Sequence, residues 1–323
     1  MIYETPSLSK RKIALLVLIA VVLVISTFYL RFLSPPDDFP LDFVIRIEEG
    51  ETLTDVAEKF NEDRLVRSSQ WLSNLVILLQ GESGVIAGDY FFKKPENTFE
   101  IARRITKGDS GLEPIKVTLP EGLMRSETAE ILRDNLPRFN KERFIVLTED
   151  REGYLFPETY FFLPTADEDV VAARLGASFR EHIDLVSRDI ERFGRPLDEI
   201  IVMASIIEEE SMESKDRRIV SGILWKRIEI GMPLQVDASF LAINGKTSAE
   251  LTVDDLAIDS PYNTYRYKGL PPRPISSPGL ESILAAVNPR ETEYLYFLSD
   301  SDGKMYYAED LDGHNKNKDL YID

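Results

Sequence analysis

The hydrophobic pattern opens with one long block. Ile13 to Leu30 are 18 consecutive residues without a charge, rich in Ile, Leu and Val. As a helix they span about 27 Å, close to the thickness of a bilayer core. Lys10-Arg11-Lys12 precede the block, and Arg31 and Pro35-Pro36-Asp37-Asp38 follow it. The basic cluster favours the cytoplasmic side. The pattern therefore predicts a cytoplasmic tail over 1–12, a transmembrane helix over 13–33, a linker over 34–40 and an extracytoplasmic remainder. A cleaved signal peptide fits less well, because Ser26-Thr27-Phe28-Tyr29 is a poor small-residue cleavage site.

Beyond the linker the period shortens. Phe43-Val44-Ile45-Arg46-Ile47 alternates like a strand, Glu49-Gly50 turns, and Leu53, Val56, Ala57 and Phe60 recur at helical spacing. The same plan returns 72 residues later with Val117-Thr118-Leu119, Glu121-Gly122 and a helix through Ala129 and Leu132. Glu49/Glu121, Gly50/Gly122, Ala57/Ala129 and Glu58/Glu130 coincide in that register, a weak repeat that the shared strand-turn-helix plan strengthens. Between the copies, Trp71 to Leu79 reads as a helix, Gly88 to Phe92 as a strand and Phe99 to Ile105 as a helix ending at Lys107-Gly108. Residues 41–112 thus form a small β-α-α-β-α module, and 113–323 a larger mixed domain. The predicted class is α+β.

In the larger domain, the aromatic stretch Glu152 to Tyr160 reads either as a core strand or as a surface for sugar rings. A long amphipathic helix follows from Val170 to Phe193; the lone His182 within it reads as surface or structural. Where Pro233-Leu234-Gln235-Val236-Asp237 runs extended, Gln235 and Asp237 share one side. Gly269 to Gly279 holds four prolines, a stiff loop suited to the wall of a groove. Tyr294 to Leu298 and Lys304 to Tyr307 form a hairpin across Asp300-Ser301-Asp302-Gly303.

One helix is unusual. Pro196-Leu197-Asp198-Glu199 signals its start. Apolar residues then surround it from Ile200 to Ile207, and it ends in Glu208-Glu209-Glu210. At about 100° per residue, Glu208 falls between Ile201 and Ala204, Glu209 points to solvent, and Glu210 lies beside Met203. Glu208 is the carboxylate carried most clearly into the apolar face. Loss of hydration there favours the protonated form, which a general acid needs. The competing reading of the three acids is a solvated helix end.

Composition narrows the chemistry. Asp plus Glu number 56 against 38 Lys plus Arg, for a net charge of -18, which excludes a basic nucleic-acid-binding surface as the organising feature. There is no cysteine, and the two histidines, His182 and His314, are far apart. No metal site and no cofactor is expected; carboxylates, amides and hydroxyls remain.

Ala204-Ser205-Ile206-Ile207-Glu208, Leu234-Gln235-Val236-Asp237, Ser260-Pro261-Tyr262-Asn263-Thr264-Tyr265, Gly269-Leu270-Pro271-Pro272, Pro278-Gly279 and His314-Asn315-Lys316 follow one another in an order that resembles the MltG/YceG-like endolytic murein transglycosylases. Glu152-Gly153-Tyr154-Leu155-Phe156-Pro157 and the N-terminal apolar block fit as well. Arg273 departs from the small residue usual after the two prolines. The resemblance implies that 41–112 is a LysM-like membrane-proximal module and 113–323 a catalytic domain. It implies cleavage of the β-1,4 bond between N-acetylmuramic acid and N-acetylglucosamine in peptidoglycan, with the muramic 6-hydroxyl attacking the anomeric carbon to leave a 1,6-anhydro end. It also implies Glu208 as the catalytic glutamate. Gln235, Asp237, Tyr262, Asn263 and Tyr265 are assigned to substrate positioning, with Asp237 the candidate second carboxylate. A muramidase-type hydrolase using Glu208 and Asp237, and a wall-binding scaffold of the synthesis or division machinery, are the alternatives.

Overall fold

A computed structural model of the chain describes residues 10–81, 84–211 and 214–322. The chain divides into two compact units, Met1–Glu113 and Pro114–Asp323.

In the first unit, helix α1 (Lys10–Phe28) continues through a π-helical turn, Tyr29–Leu33. Within the combined segment Lys10–Leu33, an 18-residue window reaches a mean hydropathy of 2.9 with none of it buried by the protein, so by length and composition it can cross a bilayer. Its end is tied to the module that follows. The Phe28 ring meets Trp71 edge-on at 4.9 Å, the Thr98 hydroxyl donates to the Phe32 carbonyl, and Arg67 donates to the Pro35 carbonyl at 2.9 Å. The module comprises β1 (Phe43–Ile47), α2 (Leu53–Glu62), α3 (Ser69–Gln80), β2 (Gly88–Phe92) and α4 (Thr98–Lys107). β1 and β2 pair antiparallel, Ile45 opposite Tyr90. The apolar faces of α2, α3 and α4 close a core of Val56, Phe60, Leu72, Phe92, Ile101 and Ile105. Capping boxes at Thr52/Asp55 and Asn97/Glu100 fix where α2 and α4 begin.

The second unit runs β3 (Ile115–Thr118), α5 (Arg125–Asn135), α6 (Lys141–Leu147), β4 (Thr159–Phe162), α7 (Glu168–Phe193), α8 (Leu197–Glu210), α9 (Ser214–Glu229), α10 (Leu241–Asn244), α11 (Leu280–Val287), β5 (Tyr296–Ser299), β6 (Met305–Ala308) and α12 (Leu311–Tyr321). β3 pairs with β4 and β5 with β6, both antiparallel. With strands only in two-stranded sheets among the described residues, the fold is α+β and helix packing carries most of the core. A smaller core gathers Val117, Leu132, Phe144, Tyr160 and Leu175. The larger is built around α8, whose residues Ile200 to Ile207 are all buried. α9 and α11 pack on α8 and on each other, and the Trp225 indole donates to the Ala286 carbonyl at 2.9 Å. His182 is structural: it stacks on Phe156 with centroids 3.7 Å apart, and its Nδ1 lies 2.8 Å from the Ser178 carbonyl.

The weak repeat has a structural counterpart. Phe43 and Ile115 open the strands, and Leu53 and Arg125 open the helices, at the same 72-residue offset. Gly50 (φ 86°) and Gly122 (φ 81°) both occupy the left-handed region that the intervening turn requires. The segment Pro233 to Asp237 is not uniformly extended: Gln235 has φ 51°, and a 3₁₀ turn begins at Asp237 (Asp237–Phe240). Two hydrogen bonds hold this bend, from Gln235 N to the Thr264 carbonyl (3.1 Å) and from Val236 N to the Thr264 hydroxyl (3.0 Å).

Candidate active site

α8 carries eight consecutive buried residues and stops at Ser211, which is extended. Its three terminal carboxylates separate because successive side chains rotate by about 100°.

Glu208 enters the protein. Its side chain is 6% exposed, and each oxygen accepts one hydrogen bond: Oε1 from Arg217 Nη2 and Oε2 from the Gly279 N–H, both at 2.9 Å. Arg217, on α9, is itself largely buried, and its Nε donates to the Ser211 carbonyl at 3.0 Å, which orients the guanidinium. Gly279 is the residue before α11, so Glu208 also faces the positive end of that helix. The proline-rich loop delivers this N–H. It is strapped along α8 by bonds from Ile275 N to Ser205 Oγ (3.1 Å) and from the Ser276 hydroxyl to the Ser205 carbonyl (3.4 Å).

A second carboxylate stands beside Glu208, and it is not Asp237. The turn after β3 brings Glu121 here. Gly122 N donates to the Ser277 carbonyl, and Ser277 N donates to the Leu123 carbonyl, both at 2.9 Å, so turn and loop hold each other. Glu121 Oε2 lies 4.0 Å from Arg217 Nη2. A Cβ on Gly279 would sit 1.8 Å from Glu121 Oε1. Burial raises Glu121 above the usual carboxylate range; the charges of Glu208 and Glu281 add to this, while Arg217 opposes it. The Glu-Gly turn of the internal repeat was the visible signal for this residue, but the repeat alone gave Glu121 no chemical role.

Glu209 is exposed, as its helical position predicts, yet it is not idle. Partial desolvation raises it, an effect that the Ser276 hydroxyl bonded to it moderates. Glu210 turns to the opposite flank of α8. There it lines a cavity of about 490 Å³ with Arg227, Gln235, Asp237, Tyr265, Tyr296 and His314. The Tyr265 hydroxyl donates to Asp237 Oδ1 at 2.5 Å. Burial pushes Glu210 up to about 7, the Asp237 charge adds to this, and the Ala238 N–H and Arg227 pull the other way.

The five positioning candidates therefore separate. Gln235, Asp237 and Tyr265 share the cavity of Glu210. Tyr262 packs against the α8 core instead. Asn263 is fully buried, its amide donating to the Leu256 (3.0 Å) and Ile258 (2.8 Å) carbonyls and its Oδ1 accepting from Tyr265 N, so its side chain is taken up in shaping the loop. Among the described residues, no group of three or more His, Asp and Glu side chains could hold a metal ion. What the arrangement offers is a buried carboxyl group held in fixed surroundings, of the kind that proton exchange with a bound molecule requires.

The YceG-like family model matches residues 45–320. The chain is 30% identical over 307 residues to an endolytic murein transglycosylase of Bacillus subtilis, covering 86% of this chain and 84% of that protein. It is 26% identical over 315 residues to an endolytic murein transglycosylase of Streptococcus pneumoniae, covering 84% of this chain and 57% of that longer protein. Among solved structures, a yceG-like protein of Listeria monocytogenes superposes with a TM-score of 0.58 at 26% identity, over 85% of this chain and 98% of that one. The chain belongs to the YceG-like family.

Proposed function

We propose that this protein is a membrane-anchored endolytic transglycosylase of peptidoglycan in which Glu208 is the general acid and base. The observation that carries the reading is Glu208 itself: a carboxylate 6% exposed at the end of a buried helix, fixed through both oxygens by groups from two other elements. A reaction in which the substrate supplies its own nucleophile needs one such carboxyl. Glu208 gives a proton to the leaving glycosidic oxygen. It then takes one from the muramic 6-hydroxyl as that oxygen attacks the anomeric carbon, and the protons balance over the cycle. Arg217 and the Gly279 N–H fix the position of the carboxyl group through its two oxygens. The names of the relatives in Bacillus subtilis and Streptococcus pneumoniae support this substrate.

In the same reading, α1 anchors the chain with its N-terminus in the cytoplasm, and 41–112 is a LysM-like module meeting glycan near the membrane. The enzyme shortens or terminates nascent strands beside the synthases or division proteins. Gln235, Asp237 and Tyr265 position the strand in the neighbouring cavity.

A second reading has Glu210 as the acid. It is favoured by Glu210 and Asp237 sharing a polar cavity and by burial, which pushes Glu210 up to about 7. Mass spectrometry of glycan strands cut by the detergent-solubilised full chain tests the reaction. Products with 1,6-anhydro ends are expected; reducing ends would mean attack by water and would replace this proposal with a two-carboxylate hydrolase.

A further inference from the structure

We infer that Glu121 is a positioning residue of the Glu208 centre, its carboxyl set beside Gly279 and Arg217 so that two carboxyl groups face one guanidinium. The inference rests on the reading of Glu208 as the acid and base.

Three observations lead to it. First, Gly279 has φ -77°, a backbone conformation open to any residue, so conformation does not demand glycine there. A Cβ there would meet Glu121 Oε1 at 1.8 Å, so any larger residue would push that half-exposed side chain aside. Glycine at this position admits a second carboxyl to the place where its N–H binds the first. Second, Arg217 faces both acids through one nitrogen, 2.9 Å from Glu208 and 4.0 Å from Glu121. Third, the turn that carries Glu121 is locked to the loop that carries Gly279 by the reciprocal bonds of Gly122 and Ser277.

The charges facing this pair come from four elements. Glu209 adjoins Glu208 on α8, Arg217 comes from α9 and Glu281 from α11, and Glu127 on α5 faces Glu209. Around Glu121 itself, burial and the charges of Glu208 and Glu281 favour the protonated form, and Arg217 opposes them. Glu121 therefore releases its proton at a higher pH than a free carboxyl would. Its charge and its hold on Arg217 thus set the field in which Glu208 exchanges a proton with the leaving oxygen.

The test is the pH profile of kcat/KM for glycan cleavage by the full-length protein in detergent. It is measured for wild type, Glu121→Gln, Gly279→Ala and Glu208→Gln. Glu121→Gln should move the alkaline limb down by about one pH unit, lower kcat about tenfold at neutral pH and leave KM within about twofold. Gly279→Ala keeps the N–H to Glu208 but displaces Glu121, and should move the same limb in the same direction. Glu121→Asp should restore part of the shift. Alkaline limbs unmoved in both Glu121→Gln and Gly279→Ala, with Glu208→Gln inactive, would overturn the role of Glu121 alone. An active Glu208→Gln would instead overturn the reading on which it rests. Circular dichroism melts confirm folding, and Glu121 is exposed enough for the amide to be accommodated.

Discussion

Arg217→Met tests how the site is held together. The Arg217–Glu208 pair joins two side chains that are 10% and 6% exposed. Removing the guanidinium leaves a desolvated carboxylate held by the Gly279 N–H. Breaking a buried pair in this way costs about 3–5 kcal/mol. In a unit of roughly 200 residues each kcal/mol lowers Tm by about 2–4 °C, so a fall of about 6–20 °C is expected by calorimetry. Methionine keeps most of the buried volume, so the loss reports charge rather than a cavity. The double variant Glu208→Gln/Arg217→Met has no orphaned charge and should recover more than half of the loss. A coupling above about 1.5 kcal/mol in the resulting cycle is expected for groups in contact. Additive single effects, or a Tm fall under about 2 °C for Arg217→Met, would refute the claim that this pair anchors Glu208.

Two further predictions follow from the other flank of α8. Glu210 is raised to about 7 in the folded chain. Its contribution to stability is therefore full below the ordinary carboxylate range and is lost as pH rises towards 7, by on the order of 3 kcal/mol. Glu210→Gln should flatten that decline in pH-dependent melts; an unchanged slope between about pH 4.5 and 7 would contradict the assignment. Gln235 occupies a left-handed conformation at φ 51°, which costs a non-glycine residue about 1–2 kcal/mol. Gln235→Gly should raise stability by up to about 1 kcal/mol, the larger unfolded-state entropy offsetting the rest. It should also slow glycan cleavage if the amide meets substrate, whereas a stabler variant with wild-type rates would remove Gln235 from the binding surface.

What was legible in the chain was local. The apolar block before Arg31, the all-round burial of Ile200 to Ile207 and the β5–β6 hairpin follow from spacing and turn chemistry within each segment. The surroundings of Glu208 were not legible in the same way. Gly279 lies 71 residues away, Arg217 is on the next helix, and Glu121 sits on a turn far upstream. No periodicity encodes such contacts. Asp237 stood as the candidate second carboxylate from its place in the ordered motifs, which carry no information on the flank of α8 that it meets. Two residues along a helix turn a side chain by about 200°, so Asp237 meets Glu210 and Glu121 meets Glu208. Asn263 read as a binding residue from its polar, aromatic loop. Its burial follows from the need to satisfy the loop's own carbonyls.

The most direct measurement of the central claim compares the rate of 1,6-anhydro end formation for wild type, Glu208→Gln and Glu210→Gln on the same glycan strands. The account predicts that Glu208→Gln loses at least about a hundredfold in kcat, while Glu210→Gln keeps measurable turnover. A Glu208→Gln protein that cuts at the wild-type rate, with Glu210→Gln inactive, would contradict it and move the acid to the other flank of α8.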